Sequence, residues 1–496
     1  MMALPPSLQE LIPPNHMVRL VDKTIEGMNI DALLASYKGG GASSYHPQML
    51  IKVIVYAYLS KVYSSRMIAK ALREDVNFMW LSGQQRPDFR TLNRFRSSRL
   101  KETIDSVFGS MISFCLEKKY ISFTHYFVDG TKIEANANRS TYVWAKNASR
   151  YKAGVQQKIK EHLRYIEEIN RQENLEYGDT DLEELGEFST ITSDALKEQI
   201  EKLNTLIAPS SKNQKATIKK ITKECLPKLE RYEQQEETLH GRSSYSKTDT
   251  DATFFRMKTG ELRPAYNVVI GTENQFIVNY SFHHKASESD HLIPHLNKLF
   301  SAHGVVPDDI IGDAAYGSEE NYAFSYNHDM TPYLRYNTQR FEKSKKYRDA
   351  HYHKDKFVHD DKADTYQCPE GKTLRLRKEQ YQMTANGYRQ YMKIFQCDNC
   401  ADCPVKPLCT KSSGNRTIQI LPQLEVYRHQ ARELLASPQG RTLSAQRGIE
   451  PESAFGDLKW NQRFTRFTLR GKENVNVEFG LASMAHNIKK IATVIN

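Results

Sequence analysis

Three acidic residues, Asp129, Asp313 and Glu452, stand where the local pattern can aim a carboxylate into a shared site. Asp129 ends the apolar run His125-Tyr126-Phe127-Val128 and precedes Gly130. Asp313 ends Ile310-Ile311-Gly312 and precedes Ala314-Ala315-Tyr316-Gly317. Glu452 follows Pro451 at the start of a helical pattern that carries Ala454, Phe455 and Leu458. Two strand ends and one helix start can bring three carboxylates to one edge of a sheet. An oxygen-rich, incompletely filled shell of that kind suits hard divalent cations such as Mg²⁺. Two such ions can clamp the attacking and leaving oxygens of a phosphodiester. Taken singly, each carboxylate also reads as a cap or turn, and Asp129-Gly130 suits a hairpin corner. Asp251, in Thr248-Asp249-Thr250-Asp251-Ala252, is a further acidic candidate, and Glu450 is a near neighbour of Glu452.

A second constellation is made of sulfur. Five of the seven cysteines fall in one stretch: Cys368, Cys397, Cys400, Cys403 and Cys409. Paired C-x₂-C steps with a distant first ligand suit tetrahedral thiolate zinc of the structural kind. Four ligands suffice. The set expected here is Cys368, Cys400, Cys403 and Cys409, with Cys397 as the alternative. A disulfide pair or free buried thiols are the plainer readings. Cys115 and Cys225 lie in helical patterns and read as packing residues.

The elements that must position these groups change in texture along the 496 residues, a length that allows two to four domains. Residues 1–110 read as mostly helical, with Met49 to Leu59 as a buried core helix and Ser64-Ser65 as an N-cap. A further helix starts near Pro87-Asp88. Its outer face carries Arg86, Arg90, Arg94, Arg96, Arg99 and Lys101 against one acid, Asp88. Helix, turn and basic helix is an arrangement that places side chains in a DNA major groove; a solvated helix face is the plainer reading. Residues 146–240 are charged and helix-prone, with sparse apolar stripes (Leu163, Ile166, Ile169; Ile200, Leu203, Leu206), and Gly178-Asp179-Thr180 reads as a loop. Ala265–Ile270 and Gln275–Phe282 read as strands around a turn at Gly271-Thr272-Glu273-Asn274. Asp290–Phe300 reads as a helix, and Asp308–Ile311 as a strand leading to Asp313. That helix is a crossover that sets the Asp313 strand beside the Asp129 strand. The net charge of +11 favours a polyanionic partner. No run approaches the roughly 20 apolar residues of a membrane span, and the start of the chain has no signal-peptide pattern. These features lead to an expectation of a cytoplasmic, reducing compartment.

Three strings resemble bacterial insertion-sequence transposases of the DDE class: Tyr126 to Ala137 (YFVDGTKIEANA), Gly312-Asp313-Ala314-Ala315-Tyr316-Gly317, and Glu452-x-x-Phe455-Gly456-x-Leu458-Lys459. Arg463-Phe464-Thr465-Arg466-Phe467-x-x-Arg470-Gly471 and Ala485-His486-Asn487 belong to the same likeness. The resemblance spans nearly the whole chain. It implies an α/β ribonuclease-H-like core, a mixed sheet flanked by helices, with an all-α N-terminal domain, a helical insertion and a small cysteine-rich, zinc-ribbon-like insertion. The implied division is 1–115 helical and DNA-binding, 116–145 first part of the core, and 146–245 helical, coiled-coil-like insertion. It continues with 246–340 second part of the core, 341–440 cysteine-rich insertion, and 441–496 C-terminal helices with Glu452. The family pattern, with Glu three residues before the Phe of Phe455-Gly456, selects Glu452 over Glu450, and Pro451 in the first helical turn agrees with it.

The activity implied is cleavage of DNA at transposon ends and joining of the freed 3′-hydroxyl to target DNA. In that scheme Asp129 is shared by two Mg²⁺ ions, with Asp313 on one and Glu452 on the other. Lys459, Arg463, Arg466, Arg470 and Lys472 follow Glu452 and are placed to grip flanking phosphates. The basic N-terminal helix would read terminal inverted repeats in double-stranded DNA. A homodimer pairing two ends is implied by the resemblance alone. Two rival readings are a nuclease of the same core fold that does not join strands, and a non-catalytic DNA-binding derivative.

Overall fold

The computed structural model describes residues 6–37, 45–177, 191–206 and 212–495, and the Gly178-Asp179-Thr180 stretch lies outside the described residues. Two compact units form: Met1–Ile133 with Asn267–Asn496, and Glu134–Tyr266. In chain order, N-terminal helices lead to strand β1 (His125–Glu134). Strands β2 (Tyr142–Trp144), β3 (Ser244–Ser246) and β4 (Thr253–Arg256) belong to the second unit. Strand β5 (Leu262–Glu273) returns to the first unit and is followed by β6 (Phe276–His283), β7 (Asp309–Gly317) and β8 (Thr331–Tyr336). A separate five-stranded sheet contains β9 (Val358–Asp360), β10 (Thr365–Gln367), β11 (Thr373–Met383), β12 (Arg389–Cys397) and β13 (Thr417–Ile420).

Within the first unit, β5, β1, β7 and β8 lie side by side in that order, and β6 pairs with β5. β1 and β7 are parallel neighbours, with His125 opposite Asp309, Tyr126 opposite Ile310 and Phe127 opposite Ile311. β7 and β8 are also parallel, whereas β5 and β6 form an antiparallel hairpin. The sheet is therefore mixed. Its central strands carry continuous apolar runs, Tyr126-Phe127-Val128 and Ile310-Ile311, buried on both faces as parallel strands under helices require. The expected crossover helix is present as Leu292–His303. Both acidic strands run past their Asp, so Asp129 and Asp313 lie inside β1 and β7 rather than at their ends.

The β5–β6 turn falls later than its glycine suggests. Asn274 and Gln275 take φ of 52° and 66°, as a two-residue type I′ turn needs. Gly271 sits within β5, where an added Cβ would lie 1.9 Å from the Tyr126 hydroxyl. The Tyr126 hydroxyl in turn lies 2.6 Å from His295 Nε2 on the crossover helix. The glycine is thus a packing requirement of the ring that precedes Asp129 by three positions.

The C-terminal helix Lys472–Ile495 packs against β6 and against the N-terminal helices Pro47–Leu59 and Leu100–Glu117. Its faces are apolar nearly all round, with Val475, Phe479, Leu481, Met484 and Ile488 fully buried, which is the pattern of a helix enclosed by protein. Asn487 accepts from the Ile277 N–H and donates to the Ile277 carbonyl, both at 2.9 Å. Glu478, fully buried, accepts from the Thr468 and Leu469 backbone amides at 2.9 and 3.0 Å. These bonds satisfy polar groups that burial would otherwise leave costly. Pro47–Leu59 is the expected core helix, capped by His46 with Pro47 in its first turn.

Described by itself, the second unit consists mainly of helices Ala145–Tyr177, Ser193–Leu206, Lys212–Lys220 and Leu226–Leu239. Its core includes Ile159, Leu163, Ile166, Leu196, Ile200, Leu203 and Leu229, so the sparse stripes of the sequence close on one another. Asp251 lies in this unit, near Arg242.

Gly271→Ala is expected to destabilise the fold by about 1–3 kcal/mol through overpacking on Tyr126. The check is a lowered thermal midpoint, partly restored by Tyr126→Phe in the same chain.

Candidate active site

Asp129 and Asp313 each lie two residues beyond the last paired positions, Phe127 and Ile311, of the parallel β1–β7 ladder. The register offset between the strands equals the separation of the two aspartates in the chain. Neighbouring strands therefore deliver them side by side. A third carboxylate, Glu288, comes from the loop between β6 and the helix Leu292–His303. One oxygen from each of Asp129, Glu288 and Asp313 lies within 4.8 Å of the others, the only such group of metal-binding atoms among the described residues. Gly130 makes room for it: a Cβ there would sit 2.9 Å from Glu288 Oε1.

Like charges at such spacing repel by roughly 3 kcal/mol per pair at an effective dielectric of 20. Arg447 offsets part of this. Its guanidinium lies 3.4 Å from Asp129 Oδ1 and 3.6 Å from Asp313 Oδ2, and the Asp313 Oδ1 accepts from the Ala315 N–H at 2.8 Å. Burial above all, then Asp129 and Asp313, pushes Glu288 up to about 7. Lys132 also opposes the rise at Glu288, but the two cations do not offset it. Asp129 is also raised, chiefly by burial, with Arg447 opposing and Asp313 and Glu452 adding to the rise. Tyr316, fully buried, closes the floor beside these acids, and its hydroxyl has no hydrogen-bond partner among the described residues. Such a carboxylate group could hold a metal ion.

Glu452 is exposed on the helix Glu450–Gly456 and stands near enough to influence Asp129. Its oxygens do not join the close group, where Glu288 holds the third place. Glu450 acts elsewhere, accepting from the Gln275 N–H at 2.5 Å, at the β5–β6 turn. No periodicity marks Glu288, which sits in the polar string Ser287-Glu288-Ser289-Asp290. Arg447, at the end of the helix Pro438–Gln446, is equally silent in the sequence.

The basic residues divide. Arg86, Arg90 and Arg94 are exposed around the helix Phe89–Arg94. Arg96 does not share that face. It is 3% exposed and donates to the Ser65 hydroxyl at 2.7 Å and the Tyr63 carbonyl at 3.1 Å. A π-helical turn, Phe95–Arg99, rotates it inward. Arg99 lies over the Tyr37 ring, 5.0 Å from its centroid. Arg463, Arg466 and Arg470 are exposed. Lys459 instead donates to the Thr131 hydroxyl at 2.6 Å and the Lys132 carbonyl at 3.1 Å, tying the Glu452 segment to β1.

Two family models match the chain. One is described as "Transposase DDE domain" and covers residues 367–492; the other, "Transposase domain (DUF772)", covers residues 6–98. Both matched stretches are transposase domains, which supports a DNA transposase of the insertion-sequence DDE type. The first match takes in the five clustered cysteines, Arg447 and Glu452, and the second takes in the basic N-terminal helix. Asp129 and Asp313 lie between the two matched stretches and are brought together by the β1–β7 register. No curated protein and no solved structure matches the chain. Among the described residues, no helix is long and apolar enough to cross a membrane.

Because Glu288 is raised from its ordinary 4.5 to about 7, the folded state holds a proton there that the unfolded chain releases. Without metal, this group makes stability fall as pH rises from about 4.5 to about 7, and the loss is complete above that. Glu288→Gln is expected to melt higher than wild type at pH 8 and to show a smaller Mn²⁺-induced rise in melting temperature. Scanning calorimetry at pH 5.5 and pH 8, with and without Mn²⁺, checks both signs.

Proposed function

We propose that this transposase binds the terminal inverted repeats of an insertion sequence and carries out Mg²⁺-dependent DNA hydrolysis and strand transfer with Asp129, Asp313 and Glu452. The observation that carries the reading is the convergence of Asp129 and Asp313 on adjacent parallel strands, with Glu452 close enough to affect Asp129. Asp129 and Asp313, with Glu288 beside them, offer oxygen donors for hard cations, and Glu452 would complete the shell. When bound, two Mg²⁺ ions supply the Lewis acidity that activates the attacking oxygen and stabilises the leaving one. The protein's own groups do the rest. Arg447 holds the two aspartates together, Tyr316 excludes water from beneath them, and Lys459 fixes the Glu452 segment to β1. No covalent protein intermediate is needed, so the site requires no nucleophilic Ser or Cys.

Terminal repeats are assigned to Arg86, Arg90 and Arg94, and the phosphates flanking the cut to Arg463, Arg466 and Arg470. In this reading residues 1–115 bind DNA, 116–145 and 246–340 form a ribonuclease-H-like core, and 146–245 and 341–440 are insertions. Residues 441–496 return Glu452 to the core. Two copies pair two ends in the cytoplasm.

A structural Zn²⁺ is assigned to Cys368, Cys400, Cys403 and Cys409. All five clustered cysteines line one cleft. Backbone N–H groups of Lys372 and Arg416 donate to the Cys368 and Cys400 sulfurs at 3.3 and 3.4 Å, a contact that favours thiolates. Cys397 turns its thiol to the Asn399 carbonyl at 3.7 Å and is kept as the alternative ligand. No three of the five sulfurs lie within 4.8 Å of one another. A tetrahedral thiolate site needs them about 3.7 Å apart, so metal would draw the cleft inward.

Asp129→Asn and Asp313→Asn are each expected to lower nicking and joining of a labelled element end at least about 10³-fold while leaving end binding largely intact. Plasmid-target assays in Mg²⁺ measure all three. Retained cleavage in either variant contradicts the catalytic assignment, and cleavage without joined products by the wild type leaves a nuclease. Metal analysis should find about one zinc per chain, lost in Cys403→Ser and kept in Cys397→Ser.

A further inference from the structure

Strand β11 buries little for a sheet strand, whereas its partner β12 buries Met392, Phe395 and Cys397. Past Leu374, no side chain of β11 is buried; Arg375 to Met383 are exposed, apart from half-buried Gln380. The antiparallel register runs from Leu374 opposite Cys397 to Met383 opposite Arg389. β13 covers β12 only over Lys393–Gln396, and β10 covers β11 only at Thr373 and Leu374. The outer part is therefore a bare two-stranded ribbon. From Leu376 to Met383 it spans roughly 25 Å.

Its charge is one-sided. The two strands carry Arg375, Arg377, Lys378, Arg389 and Lys393 against a single carboxylate, Glu379. Arg375 pairs with Asp398 at 3.1 Å and Lys393 with Asp364 at 2.8 Å. Arg377, Lys378 and Arg389 keep no carboxylate partner among the described residues. The ladder shifts between Leu376 and Lys378, so Arg377 is the bulged residue, and a bulge re-aims a side chain away from the regular pleat. Arg389 lies 3.7 Å over the Tyr381 ring, and Tyr381 faces Tyr391 across the strands with centroids 5.3 Å apart. Lys378, Gln380 and Gln382 share the other face by strand alternation.

The tip of the ribbon is anchored, and the anchors are informative. The Tyr388 hydroxyl and the Gln390 amide donate to the two carboxylate oxygens of Glu319 at 3.0 and 3.1 Å. Glu319 is 2% exposed and opens the helix that directly follows β7, the strand of Asp313. The Asn386 amide donates to the Asp290 carbonyl at 3.4 Å, two residues from Glu288. The tip thus rests on the two segments that deliver Asp313 and Glu288 to the acidic group.

We propose that the β11–β12 ribbon is a second DNA-binding element, seated along the major groove of the duplex beside the phosphodiester being cut, with Arg377, Lys378 and Arg389 on its phosphates. A two-stranded ribbon fits that groove, and exposed cations without carboxylate partners on its two faces match the phosphate backbones that flank a groove. Placement beside the acidic group, and so the side of the cut, rests on the reading of Asp129 and Asp313 as the catalytic centre. The cysteine cleft at the ribbon's base then serves to hold a lever, which gives the cysteine module a purpose beyond stability.

The test uses the full chain, a duplex carrying the element's own end with its flanking DNA, and the variant R377A/K378A/R389A, whose positions are exposed and whose fold is checked by circular dichroism and melting. Expected are roughly tenfold weaker duplex binding and a salt-dependence slope shallower by about 2–3. Hydroxyl-radical protection should disappear over about one helical turn at the cut, while protection over the terminal repeat persists. Unchanged affinity, slope and footprint overturn the proposal. So does a defect confined to single-stranded DNA, or one confined to self-association. Asp129→Asn run in parallel separates the two readings. If it still cuts, the catalytic assignment fails while a ribbon footprint stands; if it is dead and the ribbon variant binds as wild type, only the ribbon proposal fails.

Discussion

The parallel pairing of β1 with β7 is the constraint on which the site depends. Once His125 lies opposite Asp309, the strands deliver Asp129 and Asp313 to one level of the sheet. A slip of one residue would turn one of the two carboxylates to the opposite face, because side chains alternate along a strand. The register is held by burial on both sides: Tyr126, Phe127, Val128, Ile310 and Ile311 are all 2% exposed or less. Gly271 and Gly130 contribute by absence, one admitting the Tyr126 ring and the other admitting Glu288. The apolar core thus fixes the geometry of a group of charges that would otherwise push apart.

That repulsion is the electrostatic cost of crowding three carboxylates. Arg447 cancels part of it, and the proton held by Glu288 near neutral pH cancels more. A cation from solution would replace both. The same logic does not hold for Asp457, which is drawn well below the ordinary carboxylate range despite burial, since His486, Lys489 and Asn461 all donate to it. Asp457 anchors the π-helical turn after Glu452 against the C-terminal helix. One carboxylate is satisfied and structural, and three are crowded. The difference lies in their donors.

The C-terminal helix links these parts. It packs on β6, on the N-terminal core helix and on Leu100–Glu117, so residues at both ends of the chain support the segment that carries Glu452. The cysteine module reaches the same neighbourhood by another route, through the ribbon tip on Glu319.

The sequence by itself determined the elements whose periodicity is strong. The Pro47–Leu59 helix, the β5–β6 hairpin, the crossover helix and the two acidic strands were all legible, because apolar runs bounded by turn residues leave few alternatives. It also singled out Asp129 and Asp313 as partners. Tertiary structure alone decided the rest. Glu288 and Arg447 come from a loop and a helix end, where nothing in the local pattern marks a residue as facing a distant strand. Arg96 reads as one more cation on a basic helix until a π-turn rotates it inward to the Tyr63 carbonyl. Lys459 reads as a cation for phosphates, and only the fold shows its bond to Thr131 on β1. Gly271 reads as a turn until the Tyr126 ring fills its space. Local spacing encodes which face a side chain takes on its own element; what stands opposite that face is set by packing between segments far apart in the chain.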